Sequence, residues 1–428
     1  MPPQLPPRLL PILYYGAAHV ALALAFGAVA LDPRGVSGFF YHARILGIVH
    51  LVTLGWITCS ILGSLYLVGP IALRVSIPAT WADYTAFVLV LTGIVGMVAH
   101  FWIEDYGGMA WSAATVGAGI LAAGVHVVRC LGRATLPRAV SAHIVLAFVN
   151  IGGAATLGVL IGFDKLYHFL PGFVLANVVA HAHLAAIGWA SMMVVGVAYR
   201  LLPMVLPAEM PKGPRLWMSA VLLQTGVSGL FVTLLLRRPF AWIFALTVVA
   251  GFAAFLWQVA WMLRRPRPRP PGLRTPDPAV WHAAASFASL AIASVLGLWL
   301  TLAEPSASTL RVAMAYGVFG LVGFLAQMVV GMEGRLLPLF AWYWAYANTG
   351  YKGPVPSPHE MPWRGGQELV FVLWLFGVPA LAGGLAFDAV PFVSAAAWCL
   401  LAATLVDSVN AIRILRHAFW TRPIFIRA

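Results

Sequence analysis

Apolar residues run along the chain in long stretches, separated by short segments that hold most of its charged residues. The stretches are close to the ~20 residues with which a helix crosses about 30 Å of hydrocarbon. They lack the alternation of a β-strand, and a backbone in the membrane must satisfy its own hydrogen bonds, so the pattern predicts helices. We predict an all-α polytopic membrane protein with about 12 transmembrane helices. The predicted spans are residues 9–31, 42–69, 82–104, 109–130, 139–162, 172–202, 215–236, 239–263, 281–303, 309–337, 367–387 and 389–412.

The composition agrees with a membrane environment. Hydrophobic residues make up 61% of the chain, charged residues make up 9%, and the mean hydropathy is +0.90. Soluble domains carry about 25% charged residues. The chain passes from Arg8 directly into the first apolar run without a small-residue cleavage site, so we expect no cleavable signal peptide. Cys59, Cys130 and Cys399 form no CxxC or CxxCH motif, which argues against a zinc knuckle, a disulfide scaffold and covalently attached c-type heme.

The basic residues lie mainly on one side of the predicted spans. With an even number of spans, both termini and the even-numbered loops share a side, which carries 18 lysines and arginines against 6 on the other. The positive-inside rule therefore predicts that both termini lie in the cytoplasm, in a bacterial-type inner membrane. This topology accounts for much of the net charge of +13, so no nucleic-acid partner is required.

A recurring motif divides the chain into repeats. Gly188, Trp189 and Pro203 follow His183 in the sixth span as Gly55, Trp56 and Pro70 follow His50 in the second, at a constant offset of 133. In a weaker third copy, a further 135 residues on, Gly323 and Pro338 are in register and Val318 replaces the histidine. The chain is therefore predicted to form three pseudo-symmetric four-helix repeats, residues 1–135, 136–264 and 281–428, with a basic, proline-rich cytoplasmic linker at 265–280.

The histidines supply the candidate chemistry. A single histidine in a membrane helix is often a hydrogen-bond partner, but intramembrane ionisable residues also mark functional sites. His50 and His183 occupy equivalent positions at one predicted depth, in the outer half of the membrane. Imidazoles from two facing helices are the usual axial ligands of a low-spin heme, so we predict heme b, one and possibly a second. Glycines beside them, such as Gly55 and Gly188, either admit a flat macrocycle or simply pack the helices.

His181 and His183 form a His-x-His motif. Residues two apart on a helix point about 200° apart, so these imidazoles cannot serve one site in a regular helix. The motif is consistent either with two redox centres on opposite sides of one helix or with one ligand and one hydrogen-bond partner. Arg200 and Arg335, near the cytoplasmic ends of spans 6 and 10, are expected to reach the interface, and Glu333 is either a proton carrier or their ion-pair partner.

Three four-helix repeats, a histidine in span 2 and a His-x-His helix ending in Gly-x-x-Tyr-x-x-x-Pro resemble subunit I of the heme–copper oxidase superfamily. The resemblance is greatest to its cbb-type oxidase and nitric oxide reductase branch, and residues 42–56 and 180–203 carry it. It implies that His50 and His183 bind a low-spin heme. It further implies that His181 binds a high-spin heme facing copper or non-heme iron.

The chain departs from the family in two respects. Its His-x-His motif lies in the sixth span instead of the tenth, and its seventh span has no histidine for a second-metal cluster. If the pseudo-threefold arrangement is rotated accordingly, His50 and His100 turn toward His181. His100, His50 and His42 are then the candidate ligands of a second metal, beside His181 and His183.

Three functions follow from these patterns. The first is a heme b-binding electron-transfer protein, an oxidoreductase component of a respiratory complex instead of a complete terminal oxidase. Its expected partners are other subunits of that complex, a periplasmic electron carrier or quinol. The second is an NO- or O₂-reactive oxidoreductase with a non-standard second metal. The third is a non-heme membrane anchor or transporter, although transporter repeats are usually inverted or two-fold.

Overall fold

The computed structural model describes residues 5–37, 39–270, 272–273, 275–347, 350 and 355–420. Within these residues, twelve helices are long and apolar enough to cross a membrane, which confirms the predicted all-α class and number of spans. A chain built in this way contacts the lipid bilayer with the outer faces of its helices. The helices, α1 to α12, are Leu9–Leu31, Ala43–Ile71, Trp81–Trp102, Tyr106–Leu131, Arg138–Tyr167, Val174–Val205, Leu216–Leu235, Ala241–Leu263, Pro278–Leu302, Ala307–Tyr346, Arg364–Ala386 and Val390–Phe419.

The largest difference from the predicted bounds is in α10. The sequence predicts an end at residue 337, but the helix continues through Pro338 to Tyr346. Proline removes one backbone donor and kinks a membrane helix without ending it when neighbouring groups compensate. Residues 265–270 of the predicted linker are exposed and non-helical. Four of the basic residues in the predicted charge pattern, Arg274, Lys352, Arg422 and Arg427, lie outside the described residues.

Polar residues at the loop ends fix where several helices begin. The Asp277 carboxylate accepts a hydrogen bond from the Ala279 amide at the start of α9, and Pro278 takes the first helical position. Asp105 caps α4 in the same way by accepting from Gly108. Such caps satisfy amides that have no partner within the helix, and they set the rotation at which each helix enters the membrane.

Helices α2, α6 and α10 form the centre of the protein. Each contains a stretch of π-helix, at Leu51–Thr58, Leu184–Ser191 and Val318–Ala326, and these stretches contact one another. The Trp56 indole donates to the Ala326 carbonyl at 3.2 Å, and the Trp189 indole donates to the Thr58 hydroxyl at 3.0 Å. The π-stretches of α2 and α6 start at residues 133 apart, and that of α10 starts one residue earlier in the aligned register. Each helix contains a proline near its far end, at Pro70, Pro203 and Pro338.

The outer helices repeat one packing pattern around this centre. Helix α1 packs on α2, α5 packs on α6, and α9 packs on α10. Helices α3–α4, α7–α8 and α11–α12 form tightly packed pairs, and α1 also packs against α12. The arrangement places the beginnings of α2, α6 and α10 next to one another at one end of the bundle. The predicted ligand histidines lie there.

Candidate functional site

His50 and His183 are held in the same way by their own helices. His50 Nδ1 lies 2.7 Å from the Leu46 carbonyl oxygen, and His183 Nδ1 lies 2.8 Å from that of Val179. A carbonyl can only accept, so Nδ1 carries the proton in both rings and Nε2 keeps its lone pair. The π-stretch of each helix begins at the next residue. Single π-turns are frequent at functional sites because they shift the side chains that follow.

His181 points to the opposite side of α6 and is held by α5. Its Nδ1 lies 2.9 Å from the Ala154 carbonyl oxygen, which again leaves Nε2 with the lone pair. Gly158, one turn further along α5, provides room for the ring, because a Cβ there would lie 2.9 Å from His181 Cε1. A glycine and a carbonyl on α5 therefore orient a side chain of α6.

The structure brings His50 next to His181. The two ring centroids are 6.5 Å apart and the ring planes differ by 29°. Neither Nε2 atom has a hydrogen bond within the described residues, and both rings are half-buried. We call this pair the α2–α6 junction. It presents two neutral imidazole nitrogens that can bind a metal ion.

His183 faces α10 instead. The Tyr316 hydroxyl lies 3.1 Å from His183 Nε2 and donates to it, and the ring centroids are 5.9 Å apart at an interplanar angle of 21°. We call this pair the α6–α10 junction. The sequence analysis overlooked Tyr316, although the offset of 135 that aligns Val318 with His183 also aligns Tyr316 with His181.

His50 lies beside His181, as in the rotated arrangement, but His100 does not. The pairing of His50 with His183 that the family resemblance implies is not what the structure has, since the two rings lie at different junctions. His-x-His serves two places on opposite sides of α6, and at one of them the histidine is a hydrogen-bond partner of a tyrosine.

Of the three predicted second-metal histidines, His50 lies beside His181, whereas His100 and His42 have other surroundings. His100 lies on α3, with Nδ1 at 2.6 Å from the Gly96 carbonyl oxygen and Nε2 at 3.7 Å from Asp105 Oδ2. The neighbouring Phe101 contacts His50, with ring centroids 5.3 Å apart. His42 lies before the first residue of α2. Helix α3 therefore supplies an aromatic wall to the α2–α6 junction and keeps its own histidine directed elsewhere.

The glycines of the repeated motif pack helices. A Cβ on Gly188 would lie 2.8 Å from the Asn150 side chain on α5, and one on Gly323 would lie 2.6 Å from Ser289 Oγ on α9. Small residues let helix backbones approach closely in a membrane. Of the two interpretations of these glycines, the geometry favours packing over space for a macrocycle.

Two further polar groups differ from expectation. Glu333 has neither arginine as its partner: its Oε1 lies 2.9 Å from His19 Nε2, on α1. Arg335 instead lies 3.1 Å from Asp277 Oδ2, and Arg200 donates to the Ala72 carbonyl at 3.0 Å. The partner of Glu333 is a side chain on α1, and the partner of Arg335 is a side chain in the loop before α9. Spacing along α10 does not predict either contact.

His359, in the connection between α10 and α11, gives a pH-dependent contact. Arg335 Nη1 lies 3.3 Å from His359 Nδ1, which must accept and is therefore unprotonated. Burial lowers the pKa of His359, the positive charge of Arg335 lowers it further, and Asp277 partly opposes this. In the unfolded chain the imidazole takes up a proton near its ordinary pKa of about 6.5, whereas in the folded protein it resists doing so.

The thermal stability of the purified protein should therefore fall as pH decreases from 7.5 to 5.5, and part of that fall should be absent in His359→Gln. Differential scanning fluorimetry in detergent measures the midpoint at each pH. The matched control is His168→Gln, in an exposed residue of the loop after α5. Equal pH slopes for wild type and His359→Gln are the result that contradicts this assignment.

Comparisons with known proteins add no family to this picture. No protein-family model matches the chain, and no curated protein matches its sequence.

Proposed function

We propose that the protein is a heme b-binding membrane protein that transfers electrons, related to subunit I of the heme–copper oxidase superfamily. One observation carries the proposal: two imidazoles with unprotonated Nε2 atoms lie 6.5 Å apart at the α2–α6 junction. Imidazoles on opposite sides of one metal ion have ring centroids about 6 Å apart, since each metal–nitrogen bond is about 2 Å and each nitrogen lies about 1 Å from its centroid.

The residues at the junction fit the requirements of an axial ligand pair. The Leu46 and Ala154 carbonyls fix the Nδ1–H tautomer of His50 and His181, which is the second interaction that orients ligating histidines and raises their basicity. Phe101 packs against one ring, and Gly158 makes room for the other. A heme b held there supplies reversible one-electron transfer.

The position along the helices indicates how electrons arrive. His50 and His181 each lie seven residues after the first residue of their helix, which is about 10 Å along the axis. With both termini in the cytoplasm of a bacterial-type inner membrane, this end faces the periplasm. We propose that quinol, a periplasmic carrier or another respiratory subunit exchanges electrons there.

The absorbance spectrum of the purified protein tests the proposal. We expect a Soret band, a b-type α band on dithionite reduction and a pyridine hemochrome of about one heme b per chain. The test requires expression in cells supplied with a heme precursor. Protein purified from such cells without a Soret band would end the heme proposal and favour the non-heme anchor or transporter.

A second candidate function rests on the α6–α10 junction. There one imidazole faces a phenol instead of a second imidazole, so a heme on His183 keeps an open ligand position, as an NO- or O₂-reactive centre requires. Carbon monoxide added to the reduced protein separates the two candidates. A shifted Soret band supports the gas-reactive centre. An unchanged spectrum supports the first candidate, electron transfer through six-coordinate heme.

A further inference from the structure

A second group of metal-ligating side chains lies apart from both junctions. His19 of α1, Glu333 of α10 and Asp407 of α12 offer ligand atoms that all lie within 4.8 Å of one another. We call them the α1–α10–α12 cluster. The three residues are 9%, 4% and 8% exposed. His19 lies near the middle of α1, so the cluster lies deep within the helix bundle.

The protons of this cluster can be assigned from its hydrogen bonds. The Ser408 hydroxyl donates its only hydrogen to the Thr404 carbonyl at 2.7 Å, so toward His19 Nδ1, at 2.9 Å, it must accept. Nδ1 therefore carries a proton, and Nε2 of a neutral His19 has a lone pair. That lone pair faces Glu333 Oε1 at 2.9 Å, and a carboxylate also offers lone pairs. Either a proton or a metal ion must therefore lie between the two atoms.

The charge of the cluster leads to the same requirement. Within the described residues, no lysine or arginine forms a salt bridge with Glu333 or Asp407. Glu333 Oε2 is buried without a hydrogen-bond partner, and the Asp407 carboxylate has no hydrogen bond within the described part of the chain. A protonated His19 neutralises at most one of the two carboxylates, and an uncompensated buried carboxylate is costly in a membrane protein, so further positive charge belongs in this cluster.

We propose that the α1–α10–α12 cluster binds one divalent transition-metal cation. One imidazole nitrogen and two carboxylates are a ligand set that suits Zn²⁺, Mn²⁺ and Fe²⁺, and a double positive charge neutralises the two carboxylates. The 2.9 Å between His19 Nε2 and Glu333 Oε1 matches two adjacent ligands, which bonds of about 2.1 Å place about 3 Å apart at right angles. Ser408, on the other ring nitrogen, is the outer partner that orients a ligating histidine.

A route for the cation leads away from the cluster. Asp407 and His282 line a small cavity of about 10 Å³, roughly the size of one water molecule. Pro278, Gly334 and Gln367 line both this cavity and a larger one of about 170 Å³. The larger cavity reaches His359, in the connection between α10 and α11. The two cavities therefore share lining residues and together extend from that connection to Asp407, and the basic residues Arg335 and Arg364 line the larger one.

Metal binding by the purified protein tests the proposal, and it does not depend on heme. The metal-depleted full-length protein is dialysed against Zn²⁺, and separately against Mn²⁺, in detergent at pH 7.5, and bound metal per chain is measured by mass spectrometry. We expect one equivalent of at least one of these ions in wild type. His19→Ala and the near-isosteric Glu333→Gln/Asp407→Asn variant should each bind it at least tenfold more weakly.

Two variants make the result specific. His143→Ala, at a buried histidine of α5, should keep full binding, because His143 is bonded to Ala139 and Ser219 and, within the described residues, to no carboxylate. Ser408→Ala leaves the ligands in place and removes only the outer partner, so binding should weaken by about 10- to 100-fold. Iron is counted separately as pyridine hemochrome, so a failure of the heme proposal is distinguished from a failure of this one.

Two results overturn the proposal. Wild type that binds neither ion would show that protons alone neutralise the cluster. Binding that persists unchanged in the Glu333→Gln/Asp407→Asn variant would place the metal elsewhere.

Discussion

His50→Ala and His181→Ala are expected to abolish the same six-coordinate b-type spectrum, whereas His183→Ala is expected to preserve it. The reason is the pairing seen in the structure: the His50 ring lies 6.5 Å from that of His181, and His183 Nε2 is occupied by the Tyr316 hydroxyl. Losing one of two axial ligands removes six-coordinate heme entirely. The measurements are the reduced-minus-oxidised spectrum and the pyridine hemochrome content per chain.

His100→Ala is the matched control for this comparison. His100 is a half-buried histidine whose Nδ1 is also bonded to a carbonyl of its own helix, but no second imidazole faces it. Its replacement should leave the spectrum unchanged. If His183→Ala, instead of His181→Ala, matches His50→Ala, then His50 shares its heme with His183, as the unrotated family arrangement implies.

Arg335→Met is expected to destabilise the protein by about 3 kcal/mol, because it leaves the buried carboxylate of Asp277 without its counter-charge. Arg335 and Asp277 side chains are only 15% and 13% exposed and lie 3.1 Å apart. Removing one partner of a buried ion pair leaves the other charge in a poorly hydrated place. A lower unfolding midpoint in detergent, by differential scanning fluorimetry or SDS titration, measures the loss.

The double variant Asp277→Asn/Arg335→Met provides the control. Asparagine still caps the start of α9, so the bond to the Ala279 amide survives while the carboxylate charge is removed. Most of the lost stability should therefore return. A double variant as unstable as Arg335→Met alone would mean that Arg335 acts through packing instead of charge.

The fold class and the number of spans follow from the sequence because the length of an apolar run is a local property. Twelve apolar runs become twelve helices, since each run satisfies its backbone within itself. The end of α10 was predicted incorrectly because Pro338 is a local signal for a break, and the surrounding bundle supports the helix beyond it. A proline removes one backbone hydrogen bond, whereas the position of the helix end depends on all the helices that pack against it.

The candidate site was predictable in part. Repeat spacing identifies His50 and His183, because equivalent helices place equivalent residues at one depth, and the His-x-His motif adds His181. The partner of each ring depends on which faces of α2, α6 and α10 meet, and the π-stretches that alter this rotation leave no local signal in the sequence. The His19–Glu333 contact joins residues 314 positions apart, and no periodicity links them.

The shared geometry of the junctions bears on how such a protein can change during evolution. At the α2–α6 and α6–α10 junctions the rings lie 6.5 and 5.9 Å apart, at angles of 29° and 21°, although one junction pairs two imidazoles and the other an imidazole with a phenol. One nucleotide change converts a tyrosine codon to a histidine codon, so the second junction is a single substitution at Tyr316 from having the ligands of the first. The number of imidazole pairs in such a scaffold can thus rise or fall by point mutation while the helices stay where they are.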